Sequence, residues 1–420
     1  EGQGPGAGLM SRDNYGLDPE RPTHNRAVQS ADESGHVDPT LEFEPDVSQP
    51  AGAVAVLRTT QAIRERAQAL LARARRGESE WFTVGSDATM DEAARLVAET
   101  TRERFPWNNI PYHSRWRHFE AGGVNRREQL DKLLGPSISA SERARAHIDL
   151  AVVSVLLDAG AGSQWHYVEP ATGLRLARSE GLGVASFHAF TSGIFSSNPK
   201  RPLQADAAGL RGLVTDRLAS AFQVSEVNPL LGLSGRAMLL RRLGEALQEQ
   251  PEMFGEQGPA RPGGMFDELV GPFGPAAPPT AEVSAHEILT LLLDTLSGIW
   301  PAANSIDSLA ADGSDSPGRI PSGNPAMALG DCWRHSAVDG PGLTRGWMPF
   351  HKLSQWLTYS LLEPFGWAGV KVRGLDALTG LPEYRNGGLF LDSGVLSPKD
   401  VSLLQRSWKA GDEFIVEWRA

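Results

Sequence analysis

The sequence has one cysteine, Cys332, among 420 residues. A single thiol excludes a disulfide framework within the chain and any cysteine-based zinc site. Lysine is scarce: six stand against 34 arginines, so each lysine position is informative, and Lys352 falls in a largely apolar stretch. Positive charge is also in deficit, with 40 Lys and Arg against 51 Asp and Glu and a net charge of −11. That balance disfavours nucleic acid or an anionic membrane as a partner. Long apolar runs are absent. The longest, near 288–300, is interrupted by Asp294, and a spanning helix needs about 20 apolar residues. The N-terminal EGQGPGAGLMSRDNYG has no basic segment followed by an apolar one. Met10 is a candidate initiator, which would leave Glu1–Leu9 as an added segment. The expectation is a cytoplasmic enzyme or binding protein.

Several motifs are missing too. No Gly-Lys dipeptide occurs, so there is no Walker loop, and GQGPGAG lacks the strand that a dinucleotide fingerprint follows. Neither G-x-S-x-G nor H-E-x-x-H is present. His113 and His118 are five apart, an awkward spacing for one helix face, and read as hydrogen-bonding histidines ahead of a zinc pair. No metal or organic cofactor is expected.

What is present is mostly helical periodicity. Residues 1–50, rich in Gly, Pro, Ser and acids, read as a tail or surface arm. A helix is predicted from Ala51 to Gly77, and a second over MDEAARLVAETTRERF, with Asp87 or Thr89 as its cap. FPWNNIPYHSRWRHFEAGG is irregular and dense in aromatics, His and Arg. A buried helix is predicted at 141–159, then a hairpin pairing 165–168 with 174–177 across a Pro/Gly turn. Further helices are predicted in SEGLGVASFHAF, DAAGLRGLVTDRLASAF, NPLLGLSGRAMLLRRLGEALQ, 281–300, PFHKLSQWLTYSLLEPF and 399–408. EFIVEW reads as a terminal strand. Residues 251–279 and 302–346 are loop-rich, and structureless loops of more than about 15 residues are uncommon unless functional or flexible. The fold class is therefore mainly α with small β additions. Residues 51–420 are expected to form one large catalytic domain, divisible into lobes near 51–250 and 281–420.

Three stretches carry more polar groups than packing requires. In LLDAGAGSQWHYVE and the following RSEGLGVASFH, Asp158 ends an apolar run beside small residues that leave room for a ligand; it reads equally as a helix-end cap. Glu180 reads as a first-turn acid with Ser179 as cap. In MPFHKLSQWLTYSLLEP, Lys352, Gln355, Trp356 and Tyr359 share a helix face. An ammonium there needs an anionic partner, a carboxylate or a substrate phosphate, unless it snorkels to solvent. In GLPEYRNGGLFLDSGVL, Glu383 follows a proline, with Tyr384, Arg385 and Asn386 beside it. On its own it reads as a helix-start carboxylate.

IPYHSRWRHFEAGGV, LLDAGAG, SEGLGVASFHAF, NPLLGLSGR, PFHKLSQWLTYSLLEP and LTGLPEYRNGGLFLDSGVL together resemble the uracil-catabolism family of fungi and bacteria, long a domain of unknown function. The resemblance runs from about 54 to 401. It implies a route from uracil through a nucleotide and a ribosylurea-type intermediate, with urea removed from the ribose carbon. A more distant likeness is to queuosine-nucleotide salvage hydrolases, which cleave a base–ribose bond on a helical fold of the helix-hairpin-helix glycosylase type. It rests on FHKLSQWL and PEYRNGGLFLDSGVL, with Lys352 and Glu383 separated by 31 positions. Two departures stand out. Glu383 replaces an Asp, and Gly160 or Ala161 replaces an Asn, which suits a smaller leaving group.

The likeness implies an N-ribosyl hydrolase acting on ribosylurea or its 5′-phosphate through an oxocarbenium-like state. Glu383 is the implied carboxylate beneath the anomeric carbon. Lys352 would hold its charge or bind phosphate, and Asp158, backed by Glu180, would donate a proton. Trp165, Tyr167 and Trp356 would wall the pocket. Gln355, Tyr384, Arg385 and Asn386 would bind ribose or phosphate. The partner is a small ribosyl molecule, with no nucleic acid and no membrane; the oligomeric state is open. The alternatives are a nucleic-acid glycosylase, a non-catalytic binder of a nucleotide intermediate, and a lyase or transferase on the same substrate.

Overall fold

The central helix, Ala140–Leu156, has no polar face along its second half. Ser139 starts it by accepting from the Glu142 N–H at 3.1 Å, one of the four donors a helix start leaves unpaired. Everything from Ala146 to Leu156 is buried, so neighbours must cover it on all sides. The helices Lys352–Trp367, Arg178–Thr191 and Met265–Val270 do so. Its one buried acid, Asp149, is met by Arg261 at 2.6 Å and by the Ala205 and Gly263 N–H groups.

A computed structural model describes residues 45–255, 258–271, 280–300, 304–306, 327–382 and 384–420. The arm expected at 1–50 thus falls almost wholly outside the described residues, and so does Glu383. Among the described residues there are sixteen α-helices and five two-stranded ladders, all of two or three residues per strand. The fold is mainly helical, as expected. The hairpin is present as His166–Val168 against Arg175–Ala177. No helix of the described residues is long and apolar enough to cross a membrane.

The largest apolar core draws on residues from Trp116 to Leu378. Residues 45–420 form a single unit. The first two helices, Pro50–Leu57 and Thr60–Arg75, join smaller cores with chain from the other end: Val54 and Leu57 with Leu329 and Trp347, and Ile63 and Leu70 with Phe350 and Val416.

Local chemistry moves several boundaries. The helix predicted from Ala51 breaks at Arg58, because Thr59 accepts from the Ala62 N–H at 3.1 Å and starts a new one. The helix predicted at 399–408 is a short 3-10 turn, Val401–Gln405. Asp400 caps it through the Ser402 N–H, and the Trp408 indole donates to the Leu403 carbonyl that a longer helix would use. EFIVEW is not a strand but the helix Glu413–Arg419. Phe414 stacks on Phe82 at 4.9 Å, and Arg419 reaches Asp331 with two bonds of 3.0 and 2.8 Å.

Candidate functional site

The Lys352–Trp367 helix organises the region. Its N-cap, His351, adopts a left-handed conformation with φ 48°, which a non-glycine residue holds only when its surroundings over-determine it. They do. The His351 imidazole contacts the Leu57 carbonyl at 2.9 Å, and the Asp331 carbonyl accepts from the Phe350 and His351 N–H groups. The Asp331 carboxylate then accepts from the Lys352 N–H at 3.0 Å and from Trp333 Nε1 at 2.7 Å. Burial alone would raise that carboxyl; Arg419 and these donors overcome it and hold it at about 2. The first turn of the helix is thereby anchored to both chain interior and C-terminus.

Further along, the same helix docks the His113–Phe119 stretch. Ser360 Oγ accepts from the Arg115 N–H at 2.9 Å, and the Ser360 carbonyl accepts from Trp116 Nε1 at 2.8 Å. Glu363 takes Ser114 Oγ and, at 2.6 Å, Arg117. These bonds turn the Arg115 side chain inward, where it is fully buried. It donates from Nε to Ser154 at 2.6 Å and pairs through Nη1 with Asp158 at 3.0 Å. Burial lowers its affinity for its proton, and the Asp158 and Glu180 carboxylates oppose that. A guanidinium stays charged under such conditions.

Asp158 sits just past the end of the central helix. Arg236 clamps the same loop from its other carbonyls, donating to Leu157 at 2.9 Å and to Ala159 at 2.9 Å. Glu180 is in the first turn of the Arg178–Thr191 helix. Gly183, one turn later, allows that helix to lie against the site: a Cβ there would stand 2.9 Å from His118 Cβ and 3.5 Å from Arg115 Cζ and Nη2. This is a packing need for glycine, at an ordinary helical backbone.

Trp356 is the shared wall. The Arg115 guanidinium lies 5.8 Å from its ring centre, the His118 ring 5.9 Å away edge-on, and the His113 ring 6.3 Å away. Burial, with the charges of Arg115, His113 and Arg385, drives His118 down to about 3, so it is neutral at physiological pH. Three buried atoms here have no hydrogen-bond partner among the described residues: Arg115 Nη2, His118 Nδ1 and Trp356 Nε1.

The segment leading to Glu383 is pinned. Gln355, fully buried, accepts from the Thr379 N–H at 2.9 Å and hydroxyl at 2.8 Å, and its amide donates to the Phe350 carbonyl at 3.1 Å. Tyr359 donates to the Thr379 carbonyl at 3.2 Å, and Arg64 to the carbonyls of Asp376 and Leu378. Beyond Glu383 the helix Tyr384–Asp392 begins, and the Lys352 ammonium lies 5.8 Å from the Tyr384 ring centre. Arg385 and Asn386 are exposed on its first turn.

The structure thus gathers Asp158, Glu180, Trp356 and Arg385 around Arg115 and His118, with Lys352 and Tyr384 together at the start of the Tyr384–Asp392 helix. Gln355 is spent on Thr379 and acts as a clamp. Trp165 and Tyr167 are core residues. The Trp165 indole donates to the Phe222 carbonyl at 3.0 Å, and Tyr167 stacks on His188 at 5.9 Å. A cleft of about 340 Å³ lies elsewhere along the Asp158 loop, lined by Ala159, Gly160, Leu231 and Leu239. Its walls hold two arginines and no carboxylate, so it offers less chemistry than the Arg115 cluster. Arg115 was not singled out from the sequence, and His118 was weighed with His113 only as a zinc pair and read as a hydrogen-bonding histidine. The only signal for Arg115 was the dense His/Arg/aromatic phrase that holds it, and nothing in it marks one arginine among 34 as buried.

A family described as a protein of unknown function, DUF1688, matches residues 56–420. The chain belongs to that family. It is 38% identical over 371 residues to Protein urg3 of Schizosaccharomyces pombe, covering 87% of this chain and 83% of that protein. It is also 38% identical over 337 residues to Uracil catabolism protein 4 of Lachancea kluyveri, covering 74% and 72% respectively. The match spans every residue of the cluster, from His113 to Arg385.

Proposed function

We propose that this chain acts in uracil catabolism as an N-ribosyl hydrolase, cleaving ribosylurea or its 5′-phosphate to urea and the sugar. The name of the Lachancea kluyveri relative supports the pathway. The observation that carries the reaction class is the meeting of Asp158, Glu180 and Trp356 around a fully buried Arg115 with unused hydrogen-bonding capacity. Cleaving a ribosidic C–N bond builds positive charge at the anomeric carbon and negative charge on the leaving group. A carboxylate serves the first and fixed donors the second. Glu383 takes the carboxylate role in this reading. Its neighbours in the chain are held: Thr379 is clamped by Gln355, and the helix Tyr384–Asp392 starts at the next residue. Lys352 and Arg385 supply positive charge for a sugar phosphate. Asp158 is best suited to hold Arg115 charged and oriented, since its own negative charge is committed to that pair.

The test is product analysis by mass spectrometry on ribosylurea and its 5′-phosphate, beside Glu383→Gln. Urea and free sugar should appear with the native chain. The variant should fold normally and lose about 10²–10³-fold in kcat. Activity within tenfold of the native chain would remove Glu383 from the mechanism. Stabilisation by a substrate without turnover would make the protein a binder of the intermediate.

A further inference from the structure

The Trp356 cluster carries a second inference, which rests on the hydrolase reading above and concerns the half of the substrate that leaves. Arg115 Nη2, His118 Nδ1 and Trp356 Nε1 are buried without partners around one indole ring. Leaving such a group buried and unpaired destabilises the fold. Native interiors keep few of them, and those kept call for a reason. Their orientation is not loose: Asp158 and Ser154 occupy the other nitrogens of Arg115, and Gly183 backs both Arg115 and His118.

We propose that these three atoms recognise a planar ureido leaving group. Its carbonyl oxygen has two lone pairs, which match the N–H groups of Arg115 Nη2 and Trp356 Nε1. Its terminal amide N–H matches His118 Nδ1, in the neutral tautomer that carries its proton on Nε2. When the C1′–N bond breaks, its electron pair passes to the ureido nitrogen and spreads onto that oxygen. There the two donors strengthen as charge develops. Water gives its oxygen to C1′ and one proton to the departing nitrogen, so ribosylurea and water become ribose and urea. Stabilising the departing anion in this way relieves Asp158 of the part of proton donor.

Trp356→Phe keeps the ring and removes the N–H. It should lower kcat on ribosylurea by about 10²–10³-fold, the loss typical for one such donor. Inhibition by the sugar product, which makes no contact with the ureido site, should stay within twofold. Unchanged turnover, or equal weakening of turnover and sugar inhibition, overturns the assignment and leaves the hydrolase intact. If the native chain turns over nothing, the hydrolase reading fails, and thermal stabilisation by ribosylurea then decides the site. Stabilisation that Trp356→Phe abolishes keeps ureido recognition; stabilisation that survives it, or none, ends it. Should Trp356→Phe melt early, His118→Gln carries the same comparison.

Discussion

Arg115 and Glu169 show two ways a buried charge is held. Arg115 has one carboxylate in contact and keeps a nitrogen in reserve. Glu169 has everything it can accept: two bonds of 2.8 Å from Arg126, one of 2.8 Å from His188 and one of 2.6 Å from Thr172. Burial would raise the Glu169 carboxyl, but these partners hold it at about 2. A carboxyl depressed from its ordinary value of 4.5 adds stability above about pH 4.5, and that contribution fades as pH falls toward 2. Thermal melts between pH 6 and pH 3 should therefore fall more steeply for the native chain than for Glu169→Gln. The variant itself should lose on the order of 3–5 kcal/mol at neutral pH, because Arg126 is left buried without its counter-charge. Parallel melting curves would show that the cluster does not govern acid stability.

Among the elements, the Lys352–Trp367 helix does the most to shape the site. Its buried face is not purely apolar: Gln355, Thr358 and Ser360 are all enclosed. Gln355 and Ser360 each hold a separate piece of the cluster, the first the approach to Glu383 and the second the Arg115 backbone. Gln355→Leu would strip Thr379 of its N–H and hydroxyl partners, at about 1–3 kcal/mol for each group left unsatisfied. The expected result is a folded chain of lower stability whose kcat falls more than its KM rises. The Thr379→Ser variant, which keeps the hydroxyl, should retain most of the activity. Kinetics on both variants separate positioning from a general loss of fold. At the same scale, Gly387 lets the Tyr384–Asp392 helix meet the C-terminal helix, since a Cβ there would stand 2.6 Å from the Trp418 ring.

At the scale of the molecule, the excess of acid sets what the surface attracts. Net charge −11 repels polyanions, and phosphate contacts dominate nucleic-acid affinity. Fluorescence anisotropy with a labelled oligonucleotide should show no binding at 50 mM salt; affinity that declines steeply with added salt would revive a nucleic-acid glycosylase. The two ends of the described chain also depend on each other. Val416 packs with Ile63 and Leu70, and Arg419 neutralises the Asp331 carboxylate that caps Lys352.

The central helix, the hairpin and the long helix from Lys352 were legible in the sequence, because each follows from local periodicity and turn chemistry. So were the phrases that place the chain in its family. EFIVEW was not legible: six residues of mixed alternation fit strand or helix, and only Phe82 and Asp331, far away in the chain, choose between them. Gln355 and Trp165 looked like ligands for the same reason that they are good clamps, since a polar or indole nitrogen among apolar residues needs some partner. Which partner it finds is a matter of distant backbone. Residue types and spacing thus determined the helical class and most of the chemistry on offer. The tertiary structure alone decided which polar atoms were satisfied within the chain and which, those around Arg115 and Trp356 among them, were left open, because satisfaction depends on what long-range packing brings within three ångströms.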